Sequence, residues 1–352
     1  MPSFARSAWA NALHATTHRW TDPDHEPRQH AIEAADEADD YPFTEAHITF
    51  AVNQQMDAAV QASLHTVAQQ PAGPDAMQVE LAAHVPLYGL PLIAYLTLRG
   101  THVYLADAPS ERPVLHAILT AAQQALSVEA EHAPVQWSAP VPQSVPTAAM
   151  GSPSADALTT ADYPCPEHPA WVVLDGNESA DEREALAEDL LVYDGESPQH
   201  VDLIWAPEDL RPDAYLEALA HMRAAVPAHE RIPGTLQMQQ ALLDAQDAPH
   251  AYAENLTFLF SKGAPDPQRG LHVRWTSYNA LSEMTDVLHK ADTPPESVRC
   301  RPAITKRVQR HLPDGVGVEP LGTLHRATWW PDAVRSLADA LQQQEGPGAV
   351  AQ

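Results

Sequence analysis

The sequence predicts an α/β protein in which parallel strands alternate with helices. Short runs rich in β-branched and apolar residues, such as MQVELAAHV at 77–85, THVYLA at 101–106, AWVVLD at 170–175 and VDLIWA at 201–206, alternate with stretches whose apolar positions recur at helical spacing. That order puts helices on the faces of a parallel sheet. Size agrees: 352 residues, 44% of them hydrophobic, suffice for two domains or one large α/β unit with a full core.

Taken in chain order, the first eighteen residues carry one arginine and no apolar core segment, so a secretory signal is not expected. Between Asp22 and Glu45 nine acids face one base, which reads as a solvated connector. A helix is expected from Thr44, which caps it, with Ile48, Val52, Met56, Val60 and Leu64 on one face. After the strand at 77–85, PLYGLPL turns into the apolar helix IAYLTL, which Gly100 ends. The strand at 101–106 precedes an amphipathic helix over 110–126 through Val114, Ile118, Leu119, Ala122 and Leu126. Residues 134–169 hold eight prolines, which leave room only for short strands at Val135–Trp137 and Val145–Ala149. Beyond the strand at 170–175 come an acidic helix at 180–193, the strand at 201–206 and a helix over Pro212–Ala225. Later strands are expected at Leu256–Phe260, Leu271–Trp275 and Val298–Cys300, with a last helix over Trp330–Gln344 and a frayed tail at 345–352.

Charge narrows the function classes. Forty-seven acids against twenty bases give a formal net charge of −27, and only Lys262, Lys290 and Lys306 are lysines. Nucleic acid and anionic membrane are repelled by such a surface, so neither is an expected partner. No stretch reaches the roughly 18 consecutive apolar residues that a membrane span needs. Acid-rich, lysine-poor composition suits a halophile's salty interior; an acidic protein of an ordinary cytoplasm is the alternative. Two cysteines, Cys165 and Cys300, are too few for a disulfide framework and point to a reducing compartment, the cytoplasm.

Five segments stand in a telling order: YPFTEAHITFAVN (41–53), AAHVPLYGLPLIAYLTLRGTHVYLADAPSERPVL (82–115), AAMGSPSAD (148–156), DLLVYDGESPQHVDLIWAPEDLRPDAYLEAL (189–219) and EPLGTLHRATWWPDAVRSLADAL (319–341). They resemble, in order and spacing, the acyl-CoA reductases related to the bioluminescence fatty-acid reductase, a family of the aldehyde-dehydrogenase-like superfamily. The second segment resembles the family's A-G-N-I-P-L-V-G-F-H-D, the third its G-S-N-N-S/T-A-R and the fourth its Y-F-G-L-G-C-R-N-V-S-K-L. The resemblance runs from about Tyr41 to Leu341. It implies an aldehyde-dehydrogenase-like fold of two Rossmann-like domains: a cofactor-binding type over 1–175, a thioester type over 176–315, and a segment at 316–352 packing back. The implied reaction is NADP- or NAD-linked reduction of an acyl-CoA thioester to an aldehyde, through attack by a cysteine thiolate and an oxyanion held by amides.

Several positions depart from that pattern. Counted between Gly195 and Val201, the family's cysteine falls on Pro198, which has neither a nucleophile nor a backbone N–H. A one-residue slip gives Ser197, with His200 as its only nearby base. The family's Gly-Asn becomes Ala83–His84, so the oxyanion amide position is His84. Its strand-end lysine becomes Ala106, followed by Asp107, whose charge would repel the 2′-phosphate of NADP. Gly151 and Ser152 survive; they line either a cofactor cleft or an ordinary strand-to-helix turn. The superfamily's general-base glutamate would lie near Tyr163, with Glu167 close by.

Outside the resemblance, Cys165 in YPCPEHP is either a relocated nucleophile near Glu167 and His168 or a structural thiol, and Cys300 reads as a core thiol. His14 and His18 share a helical face but lack a third ligand, so no metal is expected. Arg299, Arg301, Lys306, Arg307 and Arg310 put five bases into twelve residues free of acid, for docking a coenzyme A or dinucleotide phosphate or for internal pairing. Three functions stay open: an acyl-CoA reductase; a non-catalytic acyl-CoA or nucleotide binder, as a homo-oligomer or as partner subunit of an active reductase; and a purely structural interaction protein.

Overall fold

The computed structural model describes residues 4–38, 40–81, 85–126, 132–137, 141, 144–151, 160–166, 169–268, 270–291, 294–326, 329–330 and 332–344. They form two units, Met1–Glu167 with Ala327–Gln352, and His168–Arg326.

The first unit opens with helices α1 (Arg6–Trp20), α2 (Glu26–Asp36), α3 (Glu45–Gln61) and α4 (Leu64–Gln69). The acidic connector of the sequence reading is therefore a helix. Arg28 explains why: it is buried in α2 and donates to the Trp20 carbonyl at 3.0 Å and to Asn53 Oδ1 at 2.7 Å, tying α2 to α1 and α3. The face expected to run to Leu64 stops at Gln61, where Ala62 turns extended, and Val60 is exposed.

Strands β1 (Ala76–Leu81), β2 (His102–Leu105), β3 (Val135–Trp137), β4 (Thr147–Gly151) and β5 (Tyr163–Pro166) form one parallel sheet in the order β3-β2-β1-β4-β5. Helices α5 (Leu90–Leu98) and α6 (Pro113–Leu126) are the crossovers after β1 and β2. Every residue of α5 is buried, as its unbroken apolar sequence requires. Gly89, at φ +84, starts it tightly under β1, where a Cβ would sit 2.6 Å from the Leu81 side chain. Trp9 of α1 locks α5 from its other side by donating Nε1–H to Thr97 Oγ1 at 2.9 Å. The last helix, α12 (Asp332–Gln344), returns to pack on β5 and α5, and Trp329 just before it donates to the Gln55 carbonyl.

The second unit holds β6 (Ala170–Val173), α7 (Ala180–Leu191), β7 (Val201–Pro207), α8 (Asp213–Ala225), α9 (Ile232–Ala245), β8 (His250–Tyr252), β9 (Leu259–Lys262), β10 (His272–Tyr278), α10 (Ser282–Leu288), β11 (Ser297–Cys300), α11 (Thr305–Gln309) and β12 (Gly317–Pro320). Its sheet runs β12-β11-β6-β7-β10-β9-β8, parallel except for β8. Strands β6 and β7 are apolar on both faces, as central parallel strands must be. Val172, Leu174, Ile204 and Ala206 meet α7, α8 and α9, while Trp171, Val173, Leu203 and Trp205 meet α10 and α11. Ser179 opens α7 with a capping box to Glu182, worth about 1 kcal/mol. Because β6 pairs with β7 and β11, the units divide at Glu167/His168 rather than at 175. The segment at 316–352 is likewise shared: β12 and the chain to Arg326 belong to the second unit, the rest to the first.

Candidate functional site

In the first sheet the chain runs β1 to β2 to β3 in one direction and then places β4 on the far side of β1. A switch of this kind opens a crevice at the carboxyl ends of the strands on either side of it. Leu81 ends β1 opposite Met150, and Gly151 closes β4. Gly151 is buried with φ +137, a backbone state that β-carbon-bearing residues rarely adopt, so the strand leaves the sheet here through a glycine for conformational reasons. On the other side of β1, Ala106 and Asp107 follow β2. Ala106 is exposed, and Asp107 is not a lone charge: its Oδ2 lies 2.7 Å from Nε of Arg112, whose side chain is 2% exposed and also donates to the Leu81 carbonyl at 2.6 Å. Arg112 thus straps the end of β2 to the end of β1. It was not singled out in the sequence, since S-E-R-P carries no pattern that predicts a buried cation. Ala106 and Asp107 thus stand at the end of β2 and Gly151 at the end of β4, with β1 between them; His84 and Ser152 lie outside the described residues.

In the second unit the segment 193–200 leads from α7 into the amino end of β7. Asp194 and Gly195 both take left-handed backbone, φ +52 and +71. A Cβ on Gly195 would come within 2.4 Å of the Gly270 backbone, so only glycine fits this turn. Asp194 is fully buried against Arg223 at 2.7 Å and accepts the His229 N–H at 2.9 Å, which fixes the loop's entrance. Pro198 is buried. His200 turns Nδ1 to the Ser197 carbonyl at 3.0 Å rather than to the Ser197 hydroxyl, so the two do not form the hydrogen-bonded nucleophile–base pair that the one-residue slip would need.

Two buried acids flank this loop, and the sequence reading missed both. Asp202, second residue of β7, is 6% exposed; burial pushes its carboxyl up to about 7 against the pull of backbone donation and of the Trp171 side chain. Its Oδ1 has no hydrogen-bond partner among the described residues. Asp189 of α7 accepts the Gly322 and Leu324 N–H groups at 2.7 and 2.9 Å, yet burial still raises it to about 6 against Arg299 and those donors. His325 lies against Tyr193, centroids 5.0 Å apart, and is pushed down to about 3, first by burial. The apolar run V-D-L-I-W marks a buried strand but does not tell which way its one aspartate faces.

Cys165 is buried in β5, and Tyr163 on the same strand pairs with Ala148; Glu167 and His168 lie outside the described residues. Cys300 is buried in β11, and burial raises its thiol. The His14 and His18 rings sit 6.4 Å apart, and among the described residues no group of three or more metal-ligating side chains occurs. No helix among the described residues is long and apolar enough to cross a membrane. Of the basic cluster, Arg299 is buried on Glu319 at 2.7 Å and Arg301 reaches Asp175 at 3.4 Å, so these two pair internally.

No family model matches the chain, and no curated protein matches it in sequence. Solved structures do match in shape. A NAD-dependent benzaldehyde dehydrogenase from Corynebacterium glutamicum, 12% identical, superposes with a TM-score of 0.66 over 94% of this chain and 85% of its own. An acetylating aldehyde dehydrogenase from Geobacillus thermoglucosidasius, 9% identical, gives 0.62 over 94% and 83%. A NAD-dependent aldehyde dehydrogenase from Sinorhizobium meliloti, 12% identical, gives 0.63 over 90% and 75%. At these identities the likeness establishes the fold, an aldehyde-dehydrogenase-like pair of α/β units.

Proposed function

We propose that this chain is an acyl-CoA-reductase-like member of the aldehyde-dehydrogenase fold that holds a dinucleotide or an acyl-CoA without itself reducing a thioester. The 193–200 loop carries the reading. Thioester reduction through an acyl-enzyme needs a thiolate, and the resemblance puts that nucleophile at Pro198, which offers neither a nucleophile nor an N–H for an oxyanion. Its neighbour Ser197 gives its carbonyl to His200, leaving the imidazole's Nδ1 engaged. Cys165 and Cys300 are both buried in strands.

The first unit's crevice fits a nicotinamide dinucleotide in two respects. Gly151 lets backbone and ligand approach without a Cβ between them, and the end of β2 carries Ala106 beside an Asp107 paired to Arg112, rather than a lysine for a 2′-phosphate. Bound there, the dinucleotide would supply hydride chemistry; the chain's contribution is to hold and orient it. Arg112 serves by fixing Asp107 and is committed to that carboxylate and to Leu81.

The test is titration of the purified protein in high salt with NADH, NADPH and a long-chain acyl-CoA, together with NADPH oxidation on several acyl-CoA substrates. Binding of NADH or acyl-CoA without turnover is expected. Turnover that persists in Ser197→Ala and Cys165→Ala variants would show that another group carries the chemistry and would overturn the reading.

A further inference from the structure

We infer that the second unit carries a separate binding site for a small phosphate-bearing molecule, in a cleft at the carboxyl ends of β6, β7 and β10. The cleft has a volume of about 440 Å³, within the range of small-molecule sites, and is lined by Asp175, Asn177, Tyr278, Asn279, Arg307 and His311 among others. It lies at the opposite end of β7 from the 193–200 loop, seven residues or roughly 20 Å away along the strand.

Topology places it. From β6 the chain moves through α7 to β7 on one side, with α7, α8 and α9 on one face of the sheet. After β10 it returns through α10 to β11 on the other side of β6, with α10 and α11 on the opposite face. The sheet's switch point therefore falls between β6 and β11, and the cleft opens next to it at the ends of β6, β7 and β10, with Arg307 and His311 supplied by the chain that follows β11. Asp175 follows β6 and Arg301 follows β11, so the two residues that meet across this gap at 3.4 Å mark the switch itself.

Side chains give the ligand class. Arg301 is mostly buried and holds Asp175, the Asn177 carbonyl at 2.7 Å and, at 3.9 Å, Glu182, so its charge is committed to the protein's own groups and it shapes the loop. Glu178 is also spoken for, accepting from the Asp175 and Gly176 N–H groups and from the Tyr215 hydroxyl. Arg307 differs: it is half-exposed and reaches Asp175 only at 3.8 Å, a contact that a ligand's oxygens can replace. A guanidinium fork beside His311 suits a phosphoryl group, and Tyr278 with Leu281 offers an apolar wall for the ligand's body. The stretch 299–310 from which Arg307 projects carries five of the chain's twenty bases and no acid, in a chain whose formal net charge is −27.

The experiment is calorimetric titration with inorganic pyrophosphate of wild type, Arg307→Ala and Arg307→Lys, each checked by thermal melt, with and without saturating NADH. Wild type is expected to bind, Arg307→Ala to lose about 10-fold in affinity and Arg307→Lys to recover part of it, all unaffected by NADH. Absence of binding by wild type, an unchanged affinity in a folded Arg307→Ala, or competition by NADH would each overturn the assignment. None of these readouts involves thioester turnover, and the titrations without NADH fail or succeed independently of the function proposed above.

Discussion

Replacing Asp202 with Asn isolates one buried titration. In the folded chain burial lifts this carboxyl from 3.8 to about 7. A carboxyl that keeps its proton longer when folded than when unfolded costs nothing below pH 3.8 and an increasing amount as pH rises through about 7. The full difference is a little over three pH decades, or ~4 kcal/mol, of which more than half falls between about pH 5 and about pH 8. Wild type should therefore lose that much stability relative to Asp202→Asn across this interval. Asparagine keeps an acceptor for Trp171 but strands an amide where Oδ1 now lacks a partner, a pH-independent penalty of about 1–3 kcal/mol. The readout is accordingly the change with pH, not the stability at one pH. His272 and His325, pushed down to about 4 and about 3, contribute stability that is lost as pH falls below the ordinary histidine range, and they do so equally in both proteins. Urea unfolding of both proteins at the two pH values, in constant potassium chloride, measures the difference. Parallel pH profiles for wild type and variant would show that Asp202 titrates normally and refute the argument.

Stability should rise from low to molar potassium chloride, because 47 acids against 20 bases repel until screened; a flat or falling melting temperature would remove the halophile reading. Gly195→Ala should cost roughly 2–3 kcal/mol in urea unfolding, from a positive φ and a Cβ pressed onto the Gly270 backbone, and normal stability would mean that the turn rearranges cheaply. Arg223→Met should cost about 3–5 kcal/mol by leaving Asp194 buried without its cation, and a double change with Asp194→Asn should recover much of it. The pair Ala106→Lys and Asp107→Ser should strengthen NADPH binding by about 10-fold, since it adds one cation and releases Arg112 from its carboxylate; unchanged affinity in a fluorescence titration would mean that the end of β2 does not meet the ribose.

The sequence exposes the elements whose signal is local and hides those that depend on distant partners. Central strands β6 and β7 announce themselves as apolar runs, interrupted in β7 only by Asp202, because both faces are covered. Edge strand β5 does not, since Tyr163–Pro166 is half proline, and it rests on β4 and on α12, which comes from far along the chain. The acidic stretch after Asp22 shows the same limit from the side of charge. Nine acids suggest solvent, yet Arg28, the lone base among them, is the residue that folds inward and orders α2. At the candidate site, Gly151, Asp107 and Pro198 were legible because each breaks or ends a recognisable segment. Their electrostatic meaning was not: Asp107 reads as a repulsive carboxylate until Arg112, five residues on, is seen bridging it to Leu81. A free carboxylate and a strapped one differ by a whole charge at the mouth of the crevice. Discrimination against a 2′-phosphate must then come from the missing lysine at Ala106 more than from Asp107, and Ala106→Lys alone should account for most of the gain in NADPH affinity seen in the double variant. A double variant that gains while Ala106→Lys alone does not would put the discrimination back on the carboxylate.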